Sequence, residues 1–317
     1  MQIVGAVNSR RGSRRLAMHA KGGQMRKLLV FMGALALCCG SSVAAEDKNK
    51  KDDKISTFYA YVDSDVCARL MLGPITQGRI DCSKKAYKQG SNIVIVRLDD
   101  NVVFSVNKVK LVKEYLGGIG KVTGEAKTKS GEMKLESFMP EQLSDVPADS
   151  PAQKLLDVRN FKAKSTDGLF EKIRHELAMM AYITTFDFIS FTMVGDDVIL
   201  TGWTVRDTNR DDAFHRVKRI EGVKNVVNNI EILPLGNQDM QIRASARGAL
   251  EQQLGRYFWS NGSDIKIIVK NGNIILLGVV ATKEDSDIAT IKCNSVSMAF
   301  NVINLLRVEP PPAKNKG

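Results

Sequence analysis

The strongest constraint on the fold is an internal repeat, because a pattern that recurs at a fixed spacing outranks any local propensity. Aligned without a gap, residues 197–202 (DVILTG) match residues 273–278 (NIILLG), 76 positions later. Ala213 falls on Ala289 at the same offset. The two copies therefore predict two domains of the same architecture in the second half of the chain.

Hydrophobic periodicity in the first copy gives the order of its elements. It predicts a helix over 167–182, strands over 186–193 and 197–205, a second helix over 209–221 and a last strand over 226–233. In the second copy, the turn between the first two strands is Asn271-Gly272, the favoured dipeptide of a type I′ hairpin. We therefore expect two tandem αββαβ domains, over residues 166–235 and 238–310.

The region before the repeats, residues 56–140, contains short β-branched runs separated by turn residues. Strands are predicted over 58–62, 93–98, 102–106, 108–112, 121–124 and 133–138. With YAYVDSDVC at 59–67 and GKVTGEAKTKSGEMKLESF at 120–138, this region resembles small OB-like domains of exported bacterial proteins. The predicted fold class is thus α+β: a small all-β, barrel-like domain, a linker over 141–165, the two repeated domains, and a tail over 311–317.

The first 45 residues are expected to be a leader with a secretory signal peptide. A basic pair at 26–27 precedes an apolar stretch over 28–39, and small residues end at Ala45 before a charged spacer over 46–55 that we expect to be disordered. The apolar stretch is shorter than the roughly 20 residues of a membrane-spanning helix. We therefore expect a start at Met25, cleavage after Ala45, and a periplasmic or secreted protein without a transmembrane span.

The net charge of +11 belongs mostly to this leader. Of the 46 Lys and Arg residues, seven lie in residues 1–45, which contain no acidic residue, so the rest of the chain has 39 basic against 35 acidic residues. A balance this close to neutral, in an exported chain without a base-stacking motif, argues against nucleic acid as a partner.

Residues with the usual chemistry of active sites are sparse. After the predicted cleavage three cysteines remain, and without CxxC spacing Cys67 and Cys82 are interpreted as a candidate disulfide rather than a redox or metal site. His175 and His215 each lie on a predicted helix without a second ligand at metal spacing. We expect no catalytic residue, no metal and no cofactor. The enzymatic alternative is a site near the two cysteines, in a region that lacks histidine.

Each repeat resembles the BON family, whose pattern is a helix, a hairpin ending in a glycine, a second helix, a Gly-Val pair, and a Val and an Asn that lead into the last strand. In these places the first copy carries Gly202, Ala213, Gly222-Val223, Val226 and Asn228. The second carries Gly278, Ala289, Val302 and Asn304, with Met298-Ala299 replacing the Gly-Val pair. We expect Gly202 and Gly278 to end a strand and Gly222 to cap a helix, in conformations that disfavour side chains.

The resemblance implies an envelope protein that binds phospholipids or mediates contacts at membranes and secretion pores. The candidate lipid-binding residues are a basic helix face, Arg216, Lys218 and Arg219, and two aromatic residues, Trp203 and Trp259. A solvated helix face and core packing are the simpler interpretations of the same residues. The alternative function is protein–protein or oligomeric assembly in the envelope or a secretion complex. The sequence leaves the partner and the oligomeric state open.

Overall fold

The computed structural model describes residues 55–128, 130–147, 167–259 and 263–309. The expected leader with its cleavage site, most of the spacer and of the linker, and the tail lie outside the described residues. The helices are α1 Asp65–Leu70, α2 Gln77–Lys88, α3 Asp167–Ala178, α4 Asp207–Lys218, α5 Asn237–Leu254 and α6 Lys283–Asn294. The strands are β1 Ile55–Ser64, β2 Ile93–Arg97, β3 Val103–Val106, β4 Ile119–Lys127, β5 Glu132–Glu141, β6 Phe188–Val194, β7 Asp197–Thr204, β8 Val226–Ile232, β9 Ile265–Lys270, β10 Asn273–Val280, β11 Asn301–Asn304 and β12 Arg307–Val308.

The N-terminal domain is a closed barrel with the strand order β1-β2-β3-β5-β4. Four of its five strand contacts are antiparallel, and β3 and β5 run parallel. Alternate residues of β1 point inward, so Phe58, Ala60 and Val62 join Phe104 and Leu135 in one buried core. The predicted barrel-like domain is therefore confirmed.

Two helices between β1 and β2 were not predicted. Ser64 caps α1 by accepting the Cys67 N–H at 3.2 Å, and Thr76 caps α2 by accepting the Arg79 N–H at 3.3 Å. Periodicity misses α2 because the residues it buries are Arg79, Ser83 and Ala86, of which only the small Ala86 is apolar. The predicted strand over 108–112 is also wrong: Val109–Leu111 is a 3-10 turn.

Each repeat is a sheet with two helices on one face, in the predicted order. In the first, β6 pairs antiparallel with β7, and β8 pairs parallel with β7 with Val198 opposite Val226. In the second, β9 pairs antiparallel with β10, and β11 pairs parallel with β10 with Ile274 opposite Val302, the same register 76 residues later. The last strand of the second repeat breaks at residues 305–306 into β11 and β12.

The second face of both sheets is covered by the barrel. Even-numbered residues of β7, such as Val198 and Leu200, face the repeat's own helices. Trp203, from the opposite face, shares a buried cluster with Cys67 of α1 and with Ile275 of the second repeat. The three domains thus have a common core, in which the pair α1 and α2 fills the space over both sheets.

The glycines shared by the repeats are not at strand ends. Gly202 has φ 113° and Gly278 has φ 116°, yet β7 continues to Thr204 and β10 to Val280. A Cβ at Gly202 would lie 2.0 Å from the Phe188 carbonyl oxygen of the neighbouring strand. Glycine is required at these positions because two strand backbones approach each other closely there, and not because the chain reverses direction. Gly222, at φ 100°, does follow α4, four residues after its end.

Candidate functional site

Trp203 lies in the core and offers no surface to a lipid. Its exposed fraction is 0%, and its indole N–H donates to Glu231 at 3.1 Å. The ring occupies the face of β7 that the barrel covers, next to Cys67. Core packing, the simpler interpretation of this residue, is what the structure shows, and Trp203 leaves the set of candidate lipid contacts.

The basic face of α4 is partly neutralised. Arg216 donates to Asp212 at 2.8 Å and to Glu176 of α3 at 3.4 Å. Arg219 is exposed and donates to the carbonyl oxygen of His215 at 3.0 Å, while Lys218 lies 5.5 Å from the ring centre of Phe214. Of the three candidate cations of this face, Lys218 and Arg219 therefore remain exposed.

Trp259 is the most exposed large apolar side chain among the described residues, with an exposed fraction of 87%. It follows the 3-10 turn Gly255–Tyr257 at the end of α5, and its indole nitrogen lies 3.8 Å from the position that a Cβ on Gly255 would take. A Trp side chain held in water exposes a large apolar area that a partner or a membrane interface would cover. Trp259 thus stays a candidate contact.

Hydrogen bonds tie this turn to the start of α6. Tyr257 donates its hydroxyl to Asp285 at 2.6 Å and accepts the Ala281 N–H at 2.8 Å. Arg256, whose side chain is 55% exposed, donates to the same carboxylate at 2.5 Å. Burial alone would raise the pKa of Asp285, but the bonds from Tyr257 and Arg256 hold that pKa below its usual value. The carboxylate stays charged and fixes the turn that presents Trp259.

The sequence analysis missed two cations of this region: Arg256, in the turn before Trp259, and Lys283, at the start of α6. Lys283 lies in the first turn of α6, two residues before Asp285, and pairs with Asp287 one turn later. No sequence spacing could have indicated this cluster, because it forms only where the end of α5 meets the start of α6. We define the α5–α6 end as Arg256, Tyr257, Trp259, Lys283 and Asp285.

A charge network joins all three domains beside the common core. Glu231 of β8 accepts from Arg69 of α1 at 3.0 Å and from Lys270 of β9 at 2.9 Å. Lys270 also lies 3.2 Å from Asp65 of α1, which pairs with Arg69 at 2.9 Å. Burial opposes the charge of Asp65, but the neighbouring Arg69 and Lys270 lower its pKa overall. The four alternating charges fix the barrel helices against both sheets.

A groove of about 500 Å³ separates the two repeats. Phe170 and Phe191 of the first repeat, with ring centres 4.9 Å apart, form one wall, and Lys266 of the second lies opposite. Lys266 donates to the Thr184 carbonyl oxygen at 3.0 Å, which links the two repeats beside the groove. Its lining contains no cysteine or histidine, and in the described ranges no His, Cys, Asp and Glu residues are grouped to hold a metal ion.

Cys67 and Cys82 form a disulfide between α1 and α2, with their Cα atoms 6.0 Å apart. Cys293 is a free, buried thiol on α6 whose pKa burial raises to about 12. Among the described residues, no helix combines the length and the apolar character that crossing a bilayer requires.

Comparison with known proteins identifies the repeats. A search of curated proteins finds no match. Two solved structures of CdsD, a structural protein of the type III secretion system of Chlamydia trachomatis, each cover 46% of this chain. The first is 11% identical in sequence, has a TM-score of 0.20 and is covered over 94% of its own chain. The second, the C-terminal domain, is 12% identical, has a TM-score of 0.19 and is covered over 100% of its own chain. The model of the BON domain family matches residues 165–234 and again 238–310, so the chain carries two tandem BON domains.

Proposed function

We propose that this protein is an exported, non-enzymatic component of the bacterial envelope whose BON domains bind the surface of anionic phospholipid membranes. The observation that carries the proposal is the exposure of Trp259 at 87%, on a turn held rigid by Asp285. Trp is enriched at membrane–water interfaces, because its ring is apolar while its N–H still finds polar partners.

Charge supports an anionic rather than a neutral membrane. Of the α4 candidates, Lys218 and Arg219 remain exposed and stay in the proposal. A Lys or Arg near an anionic surface contributes about 1 kcal/mol, and this attraction is screened by salt.

Vesicle flotation of the protein expressed from its full sequence tests the proposal. We expect it to float with vesicles that contain an anionic phospholipid and to stay behind with neutral vesicles or at high salt. Trp259→Ala should weaken binding about tenfold, which corresponds to about 1.4 kcal/mol. Tyr182→Ala is the matched control, because Tyr182 is a 70% exposed aromatic residue of the first BON domain.

Fluorescence supplies a second readout, because the chain has two tryptophans and one of them is buried. Vesicle binding should shift the emission of Trp259 to shorter wavelength, and this shift should be absent from Trp259→Ala. A protein that floats with no vesicle under any condition would sink the lipid proposal.

Assembly with a protein partner is the second candidate, and a different surface favours it. Met240, Met298 and Phe300 are 51%, 48% and 69% exposed. The Met298 carbonyl oxygen accepts a bond from Gln238 of α5 at 3.4 Å, and the Phe300 ring lies over Gly272, which places these residues together. Met298 has φ 67° where the first repeat has Gly222, a conformation that side chains rarely adopt. The molar mass from light scattering distinguishes the two candidate functions. Assembly through this surface predicts a multimer that dissociates in the variant Phe300→Ser.

A further inference from the structure

Helix α2 of the barrel lies directly against the second BON domain. Gln89, the residue after the helix, accepts the backbone N–H of Asn304 in β11 at 3.0 Å. A Cβ at Gly90 would lie 2.9 Å from the side chain of Asn301. On its other side, the disulfide of Cys82 holds α2 to α1. The orientation of α2 relative to this BON domain is therefore fixed at both its middle and its end.

The outward side of α2 is cationic. Ser83 and Ala86 are buried, while Lys84, Lys85 and Lys88 are exposed. At about 100° per residue these three lysines span roughly 100° of the helix surface, so they form one stripe. In the part of the chain that the structure describes, none of the three forms an ion pair with a carboxylate, unlike the arginines of α3 and α4. The stripe therefore presents positive charge that no carboxylate of the described residues neutralises.

This stripe lies close to the α5–α6 end. Asn304, whose backbone N–H donates to the Gln89 side chain, donates its own amide to the carbonyl oxygen of Ser286 near the start of α6, three residues after Lys283. Consistent with this placement, partial burial and the positive charge of Lys283 lower the pKa of Lys85. Like charges held together across a domain boundary cost free energy, and a bound anion would offset that cost. Lys283 has Asp287 as a partner, and Lys85 has no such pair among the described residues.

Both cations of the α5–α6 end are paired with carboxylates. Arg256 pairs with Asp285, and Lys283 pairs with Asp287. A net positive charge at this end of the second BON domain therefore requires cations from a neighbouring element, and α2, which packs against the same domain, carries three lysines without a carboxylate partner among the described residues.

We propose that the barrel is part of the membrane-binding surface: Lys84, Lys85 and Lys88 of α2 and the α5–α6 end form one composite face for the headgroups of an anionic phospholipid bilayer. This inference rests on the proposed function and assigns to the barrel the charge that Trp259 lacks in its own domain. Headgroup phosphate supplies the recognised anion, and the bilayer supplies the interface for the indole.

The test compares two triple variants of the full-length protein that lose the same charge from the same domain. One is Lys84→Gln, Lys85→Gln, Lys88→Gln. The control is Lys108→Gln, Lys110→Gln, Lys113→Gln, three exposed lysines of the 3-10 turns between β3 and β4. Binding to vesicles of phosphatidylglycerol in phosphatidylcholine is titrated at low and high salt. We expect the α2 variant to lose at least tenfold in affinity and most of its salt dependence, with a change below threefold in the control.

Three outcomes would overturn the inference. Unchanged binding of the α2 variant, with wild type bound, removes the barrel from the surface and leaves the proposed function standing. Equal losses in both variants would mean that net charge alone acts. Absence of wild-type binding would remove both proposals together.

Inorganic phosphate and the fluorescence of Trp259 complete the test. If the α2 lysines bind free phosphate and vesicle binding does not depend on them, the stripe is a phosphate site and the inference fails. If the face is composite, the α2 variant should also reduce the emission shift of Trp259 on vesicles. Unfolding midpoints equal to wild type, expected for exposed lysines, show that any loss is not a loss of fold.

Discussion

Asn228 and Asn304 make the same two hydrogen bonds in the two BON domains. The Asn228 amide donates to the carbonyl oxygen of Arg210 at 3.1 Å, and the Asn304 amide donates to that of Ser286 at 2.9 Å. In both, the side-chain oxygen accepts the backbone N–H two residues later, at 3.2 and 2.9 Å. The asparagine of the family pattern thus ties the last strand to the second helix, which a sequence pattern alone does not explain.

Replacing these asparagines should destabilise the two domains unequally. Asn304 is 6% exposed and donates in addition to the hydroxyls of Ser286 and Thr290, at 3.0 and 2.7 Å. Asn304→Ala should lower the free energy of unfolding by about 2–3 kcal/mol and Asn228→Ala by about 1 kcal/mol, because the former leaves more buried groups unpaired. Urea unfolding measures both. Asn294→Ala, at an exposed helix end, is the control, and equal losses for Asn304 and Asn228 would contradict this account.

The glycines inside β7 and β10 should not tolerate a methyl group. A Cβ would lie 2.0 Å from the Phe188 oxygen at Gly202 and 1.8 Å from the Asp264 oxygen at Gly278, both backbone atoms that cannot move alone. Gly202→Ala and Gly278→Ala should each cost more than about 3 kcal/mol, since the strands must separate and φ is positive.

The same substitution in a helix provides the control. Gly248 lies inside α5, and a Cβ there meets nothing within 4 Å. Gly248→Ala should raise the free energy of unfolding by about 0.5–1 kcal/mol, because Ala is the better helix former. Thermal unfolding of the three glycine variants measures these changes in stability. A small loss of stability in Gly202→Ala would show that the sheet can relax at that position.

Most of the fold prediction came from the internal repeat. Two copies that align without a gap are expected to share the order and the direction of their strands. Helix α2 escaped prediction because its buried side, Ser83 and Ala86, carries no hydrophobic period. The contacts between domains also escaped, since no local signal encodes them. Trp203 and Trp259 look alike as sequence, and only the barrel over β7 separates a fully buried ring from an 87% exposed one.

The candidate site could be predicted only in part, because contacts between residues far apart in the sequence leave no local signal. Trp259 follows a helix end and could be named from the sequence, but the bonds from Arg256 and Tyr257 to Asp285, which tie its turn to α6, join residues 29 and 28 positions apart. The partial neutralisation of Arg216 by Glu176 joins residues 40 positions apart. Ion pairs at that separation depend on how α3 and α4 pack, which a charge pattern does not reveal.

Removing the disulfide should destabilise the common core. Cys67 is fully buried among residues from both BON domains, and the bond closes a loop with a sequence separation of 15. The double variant Cys67→Ser, Cys82→Ser should lose about 3 kcal/mol, the amount expected for constraining a loop of this size in the unfolded chain. Unfolding midpoints with and without reductant measure it. Reductant should lower the midpoint of wild type and leave that of the double variant unchanged.

Burial of Lys266 should make stability rise with pH above neutrality. Desolvation lowers its pKa from 10.5 to about 8, against the opposing charges of Asp187 and Asp264. Below pH 8 the folded protein carries the full penalty of a buried ammonium group. Between about 8 and 10.5 the unfolded chain keeps a proton that the folded protein has released, so the free energy of unfolding rises with pH.

A comparison of two variants isolates this effect from other titrating groups. The difference in unfolding free energy between wild type and Lys266→Met should grow by up to about 3 kcal/mol from pH 7 to 10.5, in favour of wild type. Lys266→Arg should abolish the growth, because a guanidinium stays charged over the whole range. Urea unfolding at several pH values gives the three curves. A difference in unfolding free energy between wild type and Lys266→Met that stays constant with pH would mean that the ammonium group is hydrated. The bond to Thr184 would then be made by a side chain in contact with water.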